Sequence, residues 1–267
     1  MRITLLCAGD IVGAPGRRVV REKLPTIIAE HGVDCVIVNA ENTAGGSGLT
    51  ATLYEKILNY GVDLITMGDH IYRRRDIIPL LEKSDKLVRP ANFPSGAPGR
   101  EFAICQTAAG HRVAVISLLG RMFMKPPVNC PFAAVDRVLS ALPPDVRIIV
   151  VDMHAEATSE KIAMGWHLDG RVSVLFGTHT HVPTADERIL PHGTAYITDL
   201  GMTGPYDSVL GRDKGRVVGA MISGVPNTFD IAVGDVRLCG VVVSVETETG
   251  RATSIERVCY QADAETE

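Results

Sequence analysis

Charge of one sign is not in excess in this chain: its formal net is −4, with acids and bases mixed along it. The electrostatic footprint for a nucleic-acid backbone or an anionic membrane is therefore missing, and the expected partner is a small substrate. Long apolar runs are missing too. None approaches the roughly 20 residues needed to cross a bilayer. The first run, Met1 to Asp10, meets an acid before any cleavage pattern, so no signal peptide is read there and a cytoplasmic protein is expected. Cys-x-x-Cys spacing is absent among the six cysteines, at 7, 35, 105, 130, 239 and 259. Five of them lie in or beside apolar strand-like runs, which reads as buried thiols rather than a disulfide framework. No repeat, low-complexity segment or linker divides the chain, so residues 1–267 are read as one domain with ample apolar content for a core. Self-association is left open.

The first half alternates apolar runs with amphipathic stretches: Ile3–Ala8, Pro15–His31, Asp34–Val38, Thr50–Tyr60, Asp63–Thr66 and Arg73–Lys83. Strand, helix, strand, helix is the natural parse, with Gly32 and Gly61 as helix ends, and it predicts a largely parallel sheet. The second half is richer in strands, at Glu101–Thr107, Arg112–Leu118, Val146–Met153, Arg171–Phe176, Asp186–Leu190 and Thr194–Thr198, with helices at Pro131–Leu142 and Thr158–His167. Tight turns at 108–110 and 191–193 predict antiparallel pairing. Two long strands, Asp235–Glu246 and Ala252–Gln261, follow, and the tail 262–267 is expected to fray. That many strands exceed one covered sheet. The expected fold class is α/β, two stacked mixed sheets with outer helices.

Ligands in open α/β sheets bind beyond the carboxyl ends of the strands, so the residues following each apolar run matter most. The first strand ends at Asp10, the second at Glu41-Asn42, the third at Asp69-His70, the strand near 150 at His154, and that near 175 at His179 and His181. Any one of these has a bland explanation, since Asp after a strand is usually a turn former or helix cap. Five such coincidences, including four histidines and a Glu, point instead to a metal site. In extended backbone His179 and His181 would face one side, whereas a turn there would let each reach a different ion.

Other features carry less. The loop Thr43-Ala44-Gly45-Gly46-Ser47-Gly48 is open either to close approach by a phosphate or to being a plain flexible turn; it is not a P-loop, because no Gly-Lys-Ser/Thr follows. Arg73-Arg74-Arg75 reads as a solvated helix face, and Met164 and Trp166 as core.

In order, Gly9-Asp10, Asn39-Ala40-Glu41-Asn42, Gly68-Asp69-His70, His154 and Gly177-Thr178-His179-Thr180-His181 resemble the metal motifs of calcineurin-like metallophosphoesterases. The chain is more narrowly similar to the bacterial branch credited with phosphodiesterase activity on 2′,3′-cyclic nucleotides, which shares Gly9-Asp10-Ile11-Val12-Gly13 and Thr198-Asp199-Leu200-Gly201-Met202-Thr203-Gly204-Pro205. The resemblance implies a four-layer αββα sandwich and two metal ions, iron in first place, with manganese and zinc as the alternatives that this donor chemistry also suits. It implies Asp10, Asn42 and His181 on one ion, Asp69, His154 and His179 on the other, Glu41 bridging, and His70 as general acid. Asn42 stands in for the usual histidine two places after the first Asp, where this chain has Val12. The Gly201–Pro205 stretch is expected to line the pocket. The branch normally has Asn where this chain has Asp69, and the extra carboxylate makes the centre less positive, weakening its hold on phosphate.

The expected function is hydrolysis of a small phosphodiester, by hydroxide formed at two metals roughly 3.5–4 Å apart, with His70 protonating the leaving oxygen. For His70 the alternatives are supporting a ligand or capping a helix start. For the chain as a whole they are a phosphomonoesterase or nucleotidase with the same metals, and a metal-binding regulatory protein whose catalysis has weakened.

Overall fold

The computed structural model describes residues 1–263. In chain order it contains β1 (Arg2–Ala8), β2 (Asp10–Ile11), α1 (Gly13–His31), β3 (Cys35–Asn39), α2 (Ala51–Asn59), β4 (Leu64–Thr66), α3 (Ile78–Lys83), β5 (Phe102–Gln106), β6 (Arg112–Leu119) and α4 (Pro131–Ala141). There follow β7 (Ile148–His154), α5 (Thr158–Leu168), β8 (Val174–Thr178), β9 (Arg188–Ile189), β10 (Ala195–Ile197), β11 (Met202–Pro205), α6 (Lys214–Ser223), β12 (Val236–Glu246) and β13 (Ala252–Gln261). A short 3-10 turn, Arg75–Ile77, leads into α3.

Two mixed sheets result. In the first, β1, β3 and β4 run parallel, and β12 closes antiparallel on β1. One edge of β12 meets β1 over Gly240–Glu246 and β11 over Val236–Arg237, while β13 covers the other edge. The second sheet has the order β5-β6-β7-β8-β10-β9, with β6, β7, β8 and β10 parallel and β5 and β9 antiparallel at the margins. The tight turns at 108–110 and 191–193 join those antiparallel pairs.

Side-chain alternation along the strands builds three apolar layers between four structural ones. Ile3, Leu5 and Cys7 of β1 pack with Val113, Val115 and Val150 between the sheets. The other face of β1, Leu6 and Ala8, packs with Val36 and Val38 against Val20, Leu24 and Ile27 of α1 and Ile57 of α2. On the far side Ala114, Ile116 and Leu118 of β6 meet Val135 and Val138 of α4 and Met164 and Leu168 of α5. This is the four-layer αββα arrangement expected. Among the described residues no helix is long and apolar enough to cross a membrane.

Helix ends follow local chemistry. Gly32 ends α1 at φ 62°, a left-handed conformation that costs glycine nothing. Thr50 caps α2 by accepting from the Leu53 N–H.

Several boundaries differ from the sequence reading. The helix expected over Arg73–Lys83 is confined to 78–83, and Arg74 is extended, at φ −113°. A helix begun at 73 would put Pro79 in its interior, whereas here Pro79 falls in the first turn, where its missing N–H costs no bond. The three arginines are exposed, but they do not form a helix face. Asp186–Leu190 shrinks to two paired residues, Arg188 and Ile189. Helix α6 and the short strands β2 and β11 have no counterpart in the sequence reading. Met164 is fully buried, but Trp166, two positions away on the helix and so on another face, is 54% exposed. All six cysteines are free thiols, with Cys7, Cys35 and Cys239 buried and Cys259 exposed. Of the tail expected to fray, 264–267 lie outside the described residues; Ala262 donates its N–H to the Val236 carbonyl at 2.8 Å, and Asp263 pairs with Lys23.

Candidate metal centre

The strand ends of both sheets meet at one rim. β1 and β2 deliver Asp10, the turns after β3 and β4 deliver Glu41-Asn42 and Asp69-His70, β7 ends on His154, and His179 follows β8. Glu41, Asp69, His154 and His179 each bring one ligand-type atom to within 4.8 Å of all the others. His154 Nε2 lies 3.3 Å from both Glu41 Oε1 and Asp69 Oδ1, and 3.1 Å from His179 Nδ1. Asp69 Oδ1 is 3.5 Å from His179 Nδ1. The pocket beside them has a volume of about 320 Å³ and is walled by Glu41, Asn42, His70, His179, His181 and Arg212, among others.

Asp10, Asn42 and His181 surround this cluster without belonging to it. Asp10 is fully buried; its Oδ2 accepts the His179 N–H at 3.1 Å. Its Oδ1 has no hydrogen-bond partner, and neither does the buried Asn42 Oδ1. Asn42 Nδ2 donates to the Gly46 carbonyl at 3.2 Å, so its amide oxygen is the atom left over. His181 Nδ1 donates to the Leu210 carbonyl at 3.1 Å, which leaves Nε2 with a lone pair. Buried oxygens without partners cost free energy unless a cation or donor meets them. Oxygen and imidazole donors of this kind suit a borderline divalent metal, so the residues fit a metal site.

His179 and His181 both have left-handed backbones, at φ 94° and 65°, uncommon for residues with a Cβ. That is the turn that lets the two imidazoles diverge. Thr180 between them is held from behind: Asp199 Oδ2 accepts the Thr180 hydroxyl at 2.7 Å and its N–H at 3.4 Å. Lys161 of α5 meets the same oxygen at 2.5 Å, and both partners of this ion pair are 1% exposed. Asp199 Oδ1 takes the Gly201 N–H at 2.8 Å.

Another layer fixes His154. The buried Asp152 accepts the hydroxyls of Thr178 and Thr66, each at 2.6 Å, and Nδ2 of Asn39 at 3.0 Å. Thr178 has one hydroxyl proton and gives it to Asp152, so at 2.8 Å it receives the proton on His154 Nδ1. Nε2 therefore presents its lone pair to the cluster, the tautomer a ligating histidine needs. Gly68 leaves room for this convergence: a Cβ there would stand 2.3 Å from the His154 ring and 2.4 Å from Glu41 Oε2.

His70 lies on the pocket wall, its side chain 25% exposed, with Nδ1 3.2 Å from Glu41 Oε1 and Nε2 3.7 Å from Asp69 Oδ2. Its N–H donates to Glu41 Oε2 at 3.0 Å. Burial lowers the His70 pKa, but Glu41 and Asp69 outweigh it and the net shift is upward. The same contest, burial against Glu41 and Asp69, raises His154. Burial works to raise Glu41 and Asp69, yet the histidines hold both well below the usual carboxylate range. Burial pushes Asp10 up to about 7, with His154 pulling against it and Glu41, Asp199 and Asp152 adding to it.

The glycine loop 43–48 turns its carbonyls to arginines. Arg17 takes the Thr43 carbonyl, Arg74 that of Ala44 at 3.2 Å, and Arg212 that of Gly46 at 2.9 Å. It is not a free turn: the N–H groups of Ala44, Gly46 and Gly48 bond to the carbonyls of Gly48, Asn42 and Glu41, and Gly46 lines the pocket. Gly201–Pro205, expected to line the pocket, does not form its wall: Met202–Pro205 is the buried strand β11, with Met202 paired to Asp10.

Asp152, Thr178, Thr66, Lys161 and Asp199 were not singled out as site residues from sequence. Asp152 could have been: it interrupts an apolar strand two positions before His154 and so shares its face.

The profile of the family described as YmdB-like protein matches residues 6–258. A Bacillus subtilis (strain 168) protein named 2′,3′-cyclic-nucleotide 2′-phosphodiesterase is 44% identical over 97% of each chain. A Mycoplasma pneumoniae protein named putative phosphatase/phosphodiesterase is 35% identical over 96% of this chain and 92% of its own. Among solved structures, a hypothetical protein from Thermus thermophilus superposes with a TM-score of 0.90 at 39% identity, covering 98% of this chain and 100% of that one. One titled a novel phosphatase from Mycoplasma pneumoniae gives 0.92 at 33% identity, over 99% and 95%. Whole-length likeness in sequence and in structure shows that the chain belongs to the YmdB-like protein family of calcineurin-like phosphoesterases.

Proposed function

We propose that this chain is a two-metal phosphodiesterase of small phosphodiesters, with 2′,3′-cyclic nucleotides as its substrate class. The observation that carries it is the convergence of Glu41, Asp69, His154 and His179 beside the unpartnered oxygens of Asp10 and Asn42. The name of the Bacillus subtilis relative supports the substrate class. Asp10, Asn42 and His181 would hold one ion, Asp69, His154 and His179 the other, with Glu41 shared; iron is the first candidate, then manganese and zinc. When bound, such a pair supplies positive charge to the phosphate and lowers the pKa of water toward neutrality. His70, on the pocket wall, donates a proton to the departing ribose oxygen, which histidine can do near neutral pH. The Thr178–His154 contact keeps Nε2 aimed at the cluster, and the pocket of about 320 Å³ suits a mononucleotide.

Protein purified without added metal is assayed for bound ions and for hydrolysis of 2′,3′-cyclic AMP, bis-p-nitrophenyl phosphate and p-nitrophenyl phosphate. Fewer than one ion per chain, or preference for the monoester, overturns the proposal. His70→Ala should keep its metals and lose about 10²–10⁴-fold in turnover on the cyclic nucleotide, with a smaller loss on the nitrophenyl diester, whose leaving group needs no proton. A full rate on both would remove His70 from proton transfer.

One observation favours a weakened enzyme as the second reading. Asp69 adds a carboxylate close to His70, His154 and His179. A large gain in turnover in Asp69→Asn would support that reading, and an unchanged rate would count against it.

A further inference from the structure

Away from the rim, Cys239 of β12 and Cys259 of β13 stand directly opposite each other in the antiparallel register. Their sulfurs are 3.5 Å apart. Opposed residues in an antiparallel pair have Cα separations of about 4.5–5.5 Å, within the range a disulfide spans. The two thiols differ in access. Cys259 is exposed on the edge strand, and Cys239 is 4% exposed. Both border a cavity of about 220 Å³ that is also walled by Tyr206, Arg237 and Leu200. The Arg237 guanidinium sits 5.1 Å over the Tyr206 ring. Burial pushes Cys239 up to about 12, so it is present as the thiol.

We propose that Cys239 and Cys259 form a reversible thiol oxidation site that takes small hydroperoxides. The Cys259 sulfur attacks a peroxide oxygen; the O–O bond breaks, the sulfur becomes a sulfenic acid, and the second oxygen leaves as water with the proton the thiol gives up. The Cys239 sulfur then attacks the sulfenic sulfur, losing its own proton, and the displaced hydroxyl departs as water. In sum, two thiols and one hydrogen peroxide give one disulfide and two waters, and a dithiol reductant reverses it. Oxidation reaches only this pair, because accessibility rather than sulfur proximity selects it. Cys35 and Cys105 are as close, at 3.4 Å, but each pair has one buried thiol and Cys105 is half-buried where Cys259 is exposed, so a peroxide meets Cys259 first. The crosslink ties edge strand β13 to β12. The Cys239 carbonyl accepts the N–H of Gly9 at 3.0 Å, so the joined strands directly abut the segment that presents Asp10.

The test treats the full chain, purified reduced, with graded hydrogen peroxide, then counts thiols under denaturing conditions and maps peptides by mass spectrometry. The expected result is a fall from six free thiols to four, a 239–259 crosslinked peptide, full reversal by dithiothreitol, and a higher melting midpoint for the oxidised form. Cys239→Ser should instead trap the sulfenic acid, giving one dimedone adduct at Cys259. Cys259→Ser, outside the rim, should keep all five remaining thiols at the same peroxide dose. Six thiols surviving in the parent chain, together with no adduct in the Cys239→Ser variant, would overturn the site. So would a 35–105 crosslink forming at equal rate, since access would then not select the pair.

Discussion

Replacing Lys161 with methionine tests how the rim is held, because it keeps the length of the side chain and removes the charge. Lys161 and Asp199 are each 1% exposed and their charged atoms are 2.5 Å apart. Without the lysine, the Asp199 carboxylate is left buried with only the Thr180 hydroxyl and N–H and the Gly201 N–H as donors. Removing one partner of a buried pair typically costs about 3–5 kcal/mol, and those three donors hold the loss toward the lower figure. At about 2–4 °C per kcal/mol for a chain of this size, a loss of about 3 kcal/mol lowers the melting midpoint by roughly 6–12 °C. The loop from His179 to His181 should also loosen, since two left-handed histidines, each costing about 1–3 kcal/mol, are held there by the Asp199 contacts to Thr180. Urea unfolding measures the first effect and metal retention after dialysis the second. The double variant Lys161→Met with Asp199→Asn removes the stranded charge and should recover at least half of the stability, but not the metal retention. A single variant that loses less than about 1 kcal/mol, or a double variant no more stable than the single, would refute a buried charge pair as the anchor.

Gly68→Ala places a methyl group 2.3 Å from the His154 ring and 2.4 Å from Glu41 Oε2, so it should abolish metal retention while leaving far-ultraviolet circular dichroism intact; retained metal would show that the cluster can spread. Glu101 is held below the usual glutamate range: burial raises it, but Arg137 and then Arg89 lower it further. Its contribution to stability should be complete above the unfolded value of about 4.3 and vanish as pH falls through the lower folded value. Urea midpoints of Glu101→Gln and the parent chain should therefore differ at pH 7 and draw together as the pH falls below about 4.3, and a gap that stays constant would contradict the pairing. A chelator should lower the melting midpoint and added manganese restore it, because whatever binds only the folded chain stabilises it; a midpoint indifferent to both would speak against occupancy.

The strand ends were legible because chemistry there interrupts a period of two. Asp10, Glu41, His154 and His179 each follow or end an apolar run that can only be a buried strand, and such runs in α/β folds stop at the ligand rim. The supports were not legible for a related reason. Glu160 and Lys161 sit on α5 among residues that look like a solvated face, yet both are buried. Their partners come from afar: the N–H groups of Arg121 and Met122 for Glu160, and Asp199 for Lys161. No local pattern announces a partner 38 positions away. The pairing of β2 with β11 escaped for the same reason, since two residues of strand carry no periodicity and this pair is created by the tertiary fold. The start of α3 was misplaced through Pro79, whose position in an otherwise continuous pattern marks a first turn rather than a helix interior.

The donors at the rim are divided between the two stacked sheets. Asp10, Glu41, Asn42 and Asp69 ride on the first, and His154, His179 and His181 on the second. The apolar filling between them, Leu5, Ile37, Val115, Val150 and Phe176, thus works as a shim that sets how far apart the two halves of the ligand set stand. A change of one methylene in that filling would be felt at the rim as a misfit of the jaws, so substitutions remote from any substrate can alter catalysis without touching a catalytic group. An ion gripped from both sides would in turn rivet the layers, making separation of the sheets and release of the metal a single event.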